Sequence, residues 1–287
     1  MSKVDSFVLN NWMERLYFER LEEKSIPVLD LLTLNKNNWE ATCFCLIAKA
    51  FGGNTNGNAF FEMAQSIPFS IIQKENSIFN LEALFMGQCN MLNKESDDPY
   101  ELELYNEYSY LKKKFRIDSI KQNAIQFFRL RPQNFPTIRL SQLATLFSKS
   151  VNLFQLIKEI NEYEKLNKVL SSVVSEYWIT HYTFGKVSKT SVKKTSESFL
   201  KIVCLNAVIP LRFLAKKMLY GSTDYTNELL LLKNFSPEKN SIVSYYETLG
   251  LKMASSMHSQ AVLTLNKKYC KTNSCLQCQI GVFLFKN

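Results

Sequence analysis

The 287-residue chain is poor in the residues that punctuate short strands and phosphate loops: 8 Gly and 7 Pro stand beside 21 Phe and 13 Tyr. Many-stranded folds and glycine-rich nucleotide loops need more turn chemistry than this. Histidine is scarcer still. His181 and His258 are the whole supply, so histidine-based catalysis would have to run on one of them alone. H-E-x-x-H, G-x-S-x-G and G-x-x-x-x-G-K are all missing, which removes zincin, α/β-hydrolase and P-loop chemistry. The polar turn Asn54, Asn56, Asn58 lacks the carboxylates of a calcium loop. No run approaches the roughly 18 to 20 consecutive apolar residues of a membrane-spanning helix, and the opening residues do not read as a signal peptide. The expectation is a cytoplasmic chain with no membrane partner and no independent catalytic activity.

What is present is a packed globular composition, 46% hydrophobic and 21% charged. Lys and Arg number 35 against 26 Asp and Glu, a net charge of +9 that is unevenly spread. Residues 1–111 carry −8, residues 112–149 carry +8, and residues 150–287 carry +9. Either the acidic first third neutralises the rest inside the fold, or the basic part faces a polyanion.

Apolar residues recur at three- and four-residue steps almost throughout. Asp5 or Ser6 caps a first helix whose apolar set is Phe7, Val8, Trp12, Met13, Leu16, Tyr17 and Leu21. Asn37 or Asn38 caps a second, Trp39 to Phe51, which Gly52-Gly53 stops. Ser77 opens another, and Tyr100 to Phe115 runs from acidic to basic along the helix dipole. Pro136 opens a helix over 137–148. Further helices are expected at 152–160, 162–172 and 196–219, the last kinked at Pro210. Ser236-Pro237-Glu238 starts one more, and 255–269 forms the last. The fold class is therefore all-α, a compact multi-helix array. It is read as an N-terminal helical lobe over 1–149 ending in the basic segment, and a C-terminal lobe over 150–287 with a cysteine-containing turn, unless the two form one continuous domain.

Three clusters carry candidate chemistry. Arg129, Arg131, Asn134 and Arg139 surround a helix start, an arrangement suited to phosphate or another anion. Phe127, Phe128 and Phe135 interleave with them and could stack on bases if exposed. The bland reading buries the rings and pairs the arginines with acids of the first third. Trp178, His181, Tyr182 and Phe184 form an aromatic cluster followed by Lys186, Lys189, Lys193 and Lys194. No nucleophile or carboxylate pair stands beside His181 at a recognisable spacing, so this cluster reads as a plug and its lysines as a mobile solvated loop within reach of phosphates. Cys270, Cys275 and Cys278 form a C-x4-C-x2-C run. That spacing fits three teeth of a zinc or iron–sulfur site lacking a fourth ligand; the other reading is three free thiols in a tight turn. Cys43, Cys45, Cys89 and Cys204 read as small buried hydrophobes in a reducing compartment.

Several of these stretches resemble one family in their order. They are Trp12-x2-Arg15-Leu16-x2-Glu19-Arg20-Leu21-Glu22-x-Lys24, Asn38-Trp39-Glu40, Leu130-Arg131-Pro132-x-Asn134-Phe135-Pro136-Thr137-Ile138-Arg139, Tyr177-Trp178-x2-His181-Tyr182-x-Phe184-Gly185-Lys186, Pro237-Glu238-Lys239-Asn240-Ser241, and Tyr269 to Gly281. The likeness, from about residue 5 to the end, is to an uncharacterised bacterial family known only as a domain of unknown function. Longer members carry an N-terminal region similar to the restriction-endonuclease core, whose acidic and Lys or His motifs this chain does not contain. The resemblance implies a nucleic-acid context, and a nuclease-like region or another protein as partner. The expectation is a basic helical accessory module that binds nucleic acid through phosphates. The alternative is a protein-interaction or scaffold module with a metal or free-thiol C-terminal turn.

Overall fold

The computed structural model describes residues 5–119, 125–221 and 225–286. It is all-α. The named strands among the described residues are one short antiparallel hairpin, β1 His181–Thr183 with β2 Lys186–Val187. Two compact units are each assembled from interleaved segments: 1–30, 161–163 and 210–287 form the first, and 31–160 with 164–209 form the second. Residue 150 falls inside the second unit.

The second unit holds the end of α1 (Ser6–Leu34), then α2 (Trp39–Ser66), α3 (Phe69–Lys74), α4 (Ile78–Gln88), α5 (Pro99–Phe115), α6 (Pro136–Lys149), α7 (Leu153–Ile157), α8 (Tyr163–Leu170), α9 (Tyr177–Thr180) and α10 (Glu197–Val203). Helix α4 is the central element, buried from Leu81 to Gln88 and packed against both α5 and α6. Gly87 makes the α5 contact possible, because a Cβ there would lie 2.2 Å from the Tyr108 ring. Phe44 of α2 touches Phe69, Phe85 and Phe147, so four helices meet on one ring. Asn38 caps α2 by accepting from Ala41 N at 3.0 Å. Its neighbours serve a distant helix. Trp39 stacks on Phe154 at 5.2 Å, and the Glu40 carboxylate accepts from the backbone N–H groups of Phe154 and Gln155 at 2.8 and 3.0 Å. Burial pushes the Glu40 carboxyl upward against these bonds.

The first unit holds most of α1, with α11 (Ile209–Tyr220), α12 (Thr226–Lys233), α13 (Ser241–Thr248), α14 (Ser256–Thr264) and α15 (Gln279–Lys286). The Trp12 to Lys24 pattern is one face of α1 that grips the C-terminal segment. Tyr269 packs edge-on against Trp12 at 5.3 Å, its hydroxyl donates to Glu19 at 3.0 Å, and Arg20 donates to Gln260. Fully buried Glu228 is held by Arg212 at 3.1 Å and Lys216 at 2.9 Å.

Several sequence expectations shift in detail. Gly52-Gly53 bends α2 instead of ending it: Gly53 sits at φ +60 and the helix resumes to Ser66. The Pro210 distortion lies before the proline, as a π turn over Cys204–Val208. Proline lacks an N–H and collides with the carbonyl four residues back, and widening that turn makes room. The helix expected at Ser236 starts at Ser241, because the Asn240 side chain accepts from Val243 N at 2.9 Å. Lys193 is 5% exposed and so is not part of a solvated loop. The continuous helix over 197–220 is long and apolar enough to cross a membrane by length and composition, and 72% of its apolar window is buried in the protein.

Candidate functional site

The helix start at Pro136 and the aromatic cluster are far apart in sequence, and the second unit folds them together. Phe135 precedes Pro136 with no side-chain cap. At the second residue of α6, the Thr137 hydroxyl donates to the Tyr182 carbonyl at 2.6 Å. Phe135 meets Tyr182 edge-on at 6.5 Å and Phe127 at 5.2 Å. Of the three phenylalanines read as possible stacking rings, Phe127 and Phe135 are therefore half-buried against neighbours. Phe128 is 76% exposed, with the Arg129 guanidinium over its face at 5.1 Å.

The hairpin is anchored from behind. Gly185 occupies its turn at φ +68, a conformation glycine adopts at no steric cost. The Asp98 carboxylate caps α5 through Tyr100 N and Glu101 N at 2.9 and 3.1 Å. It also accepts from Gly185 N at 2.7 Å and from the Tyr177 hydroxyl. Burial pushes the Asp98 carboxyl up, but these four donors together hold it below its ordinary 3.8. Tyr177 lies between two parallel rings, Tyr100 at 4.3 Å and His181 at 4.1 Å. His181 Nδ1 faces the Tyr177 carbonyl at 3.1 Å and the Thr180 hydroxyl at 3.0 Å. Trp178 is fully buried and donates through Nε1 to buried Glu82 at 3.2 Å. Phe184 covers it at 5.0 Å. The histidine is a layer in an aromatic stack.

The cations divide into two kinds. Arg139 is 7% exposed. It donates to Asn134 Oδ1 at 2.6 Å and Gln142 Oε1 at 2.8 Å, and its guanidinium lies 3.5 Å from the Phe199 centroid. Burial lowers it to about 10. Lys193 donates to the carbonyls of Trp178 and, at 2.9 Å, Ile179, and lies over the Tyr182 ring at 4.2 Å. Gln142 joins the two cations, donating to the Lys193 carbonyl at 3.1 Å. Arg139 and Lys193 thus brace the helix start against the hairpin from inside, and exposed Asn134 lends its Oδ1 to Arg139. Arg129, Arg131, Lys186 and Lys189 are exposed. Among the described residues none of these six cations forms an ion pair. Lys121 of the basic stretch lies outside the described residues.

Residues 1–241 match the family described as Protein of unknown function (DUF2851). The chain belongs to that family. No curated protein and no solved structure matches it. The matched span of this DUF2851 member includes both the helix start and the hairpin, while the C-terminal thiols lie beyond it.

Those thiols surround a small apolar cavity of about 140 Å³ with Leu265, Tyr269 and Ile280. Cys270 and Cys275 are exposed and Cys278 is buried. Gly281 lets α15 close on this turn, since a Cβ there would sit 2.2 Å from the Cys275 carbonyl oxygen. Among the described residues no group of three or more His, Cys, Asp or Glu is arranged to hold a metal ion.

The sequence reading missed Asp98 and Lys193 as supports. Asp98 before Pro99 is a legible helix cap, but its second role depends on a residue 87 positions away. Lys193 looked like any lysine in a polar run.

Proposed function

We propose that this DUF2851 chain binds nucleic acid at the second unit, with Arg129, Arg131, Lys186 and Lys189 contacting phosphates and exposed Phe128 stacking on an unpaired base. The observation that carries the reading is the absence of ion pairs at these cations among the described residues, beside the exposed Phe128 ring. A scaffold that neutralised its basic segment against its acidic first third would pair these arginines. A flexible guanidinium left unpaired on a surface is available to a phosphate. Arg139, Lys193 and the Trp178–His181–Phe184 layer hold the two segments in register and stay out of contact with the ligand, while exposed Asn134 is left with its amide N–H beside Arg131. In this reading the chain is a cytoplasmic bacterial accessory module that works beside the restriction-endonuclease-like region of longer relatives and supplies docking, with no chemistry of its own.

The test is fluorescence anisotropy with a labelled single-stranded oligonucleotide at 50 mM salt and above. Affinity should fall with salt, and Arg129→Ala/Arg131→Ala should lower the log–log slope by about 1.4, at roughly 0.7 per lost phosphate contact on a single strand. Phe128→Ala should weaken binding by roughly 1–3 kcal/mol, the range of a base–aromatic stack. Absence of binding at low salt would remove the proposal.

A further inference from the structure

A groove of about 770 Å³ opens elsewhere on the second unit, where the end of α8 faces the segment leading into α10. Lys149, Lys165, Lys168 and Lys194 line it, with Ser172 and Thr195. Its acids are Glu164 and Glu197, and Glu197 is already engaged by Lys201 at 3.2 Å. Among the described residues Lys149, Lys168 and Lys194 form no ion pair.

The groove wall is built firmly. Val173 and Lys194 form an isolated antiparallel bridge, and Thr195 N donates to the Ser172 carbonyl at 3.0 Å. Ser172 N donates in turn to the Thr195 hydroxyl at 3.1 Å. The Ser172 backbone N–H and C=O are thus both bonded, yet its hydroxyl, in a residue 1% exposed, finds no partner in the protein. A buried hydroxyl without a partner is costly, and a ligand oxygen entering the groove would relieve it. No aromatic side chain lines the groove, so it has nothing on which to stack a base. Its size is that of a small-molecule site, in the range of about 300–1,000 Å³.

We propose that this groove binds an oligophosphate, a di- or triphosphate chain held by lysine charge and the hydroxyl of Ser172, irrespective of any nucleoside attached to it. The site shares no residue with the surface that contacts nucleic acid.

Isothermal titration of the full chain with inorganic triphosphate, ATP and a 5′-hydroxyl oligonucleotide tests it. Triphosphate should bind saturably at one site, and ATP within about threefold of it, because charge recognition ignores the base. Lys168→Ala/Lys194→Ala, at two exposed positions, should weaken triphosphate by about tenfold or more and leave oligonucleotide affinity unchanged. Ser172→Ala should weaken it by a smaller factor with the thermal unfolding temperature retained. Arg129→Ala/Arg131→Ala should leave triphosphate binding intact. The proposal is overturned if no saturable binding occurs, if the arginine pair weakens triphosphate as much as the lysine pair does, or if ATP binds far more tightly than triphosphate. Loss of oligonucleotide binding alone would count against the nucleic-acid reading and leave the groove standing.

Discussion

Gly87 is a residue where two rules of thumb give opposite signs. In an exposed helix, Gly→Ala stabilises by roughly 0.5–1 kcal/mol. Here the added methyl would meet the Tyr108 ring at 2.2 Å, and overpacking a core contact costs about 1–3 kcal/mol. Gly87→Ala should therefore lower stability in urea unfolding; a rise would mean that α4 and α5 are less tightly apposed than described. Asp98 makes a pH prediction. Its folded pKa lies below the ordinary value of 3.8, so it contributes stability that is present above about pH 4 and lost as pH falls through the folded value. Asp98→Asn should flatten the decline in urea midpoint as pH falls below about 4. Identical pH profiles for the two proteins would contradict the four-donor account of this carboxylate.

At the scale of elements, the helices were legible wherever a local signal names a boundary. Asn38, Ser77 and Asp98 accept from backbone N–H groups two or three residues ahead, and such caps depend only on neighbours in sequence. The hairpin was not legible. Two strands totalling five residues carry no readable period, and what fixes them is remote: Asp98 on Gly185, Thr137 on Tyr182 and Lys193 on the α9 carbonyls. The lysine run 186–194 looked uniform in sequence, yet Lys193 is 5% exposed while Lys186, Lys189 and Lys194 are open to solvent. Helix α15 spans only Gln279–Lys286, too short for a helical period to declare itself, although Gly281 marks a close backbone approach there. Gly185 offers a test at this scale. A Cβ added there would meet nothing within 4 Å, so Gly185→Ala should cost only the left-handed backbone term of about 1–2 kcal/mol. A larger loss would show that the hairpin is packed from outside as well.

At the scale of the whole molecule, the uneven charge is the feature from which the account grows. The net +9 separates into an acidic first third and a basic remainder, and internal neutralisation was one possible outcome. The structure does pair some cations with that first third: Lys114 meets Glu75, Lys233 meets Glu14, and Lys268 meets Glu19 and Glu23. Among the described residues it leaves out Arg129, Arg131, Lys186 and Lys189. The most direct test is charge reversal, Arg129→Glu/Arg131→Glu, with stability and single-strand affinity measured on the same sample at low salt. The account predicts an unchanged urea midpoint together with a loss of affinity of tenfold or more, about 1.4 kcal/mol, that shrinks as salt rises. A destabilised protein with unchanged affinity would contradict it, and would make those arginines part of the fold instead of a surface for phosphates.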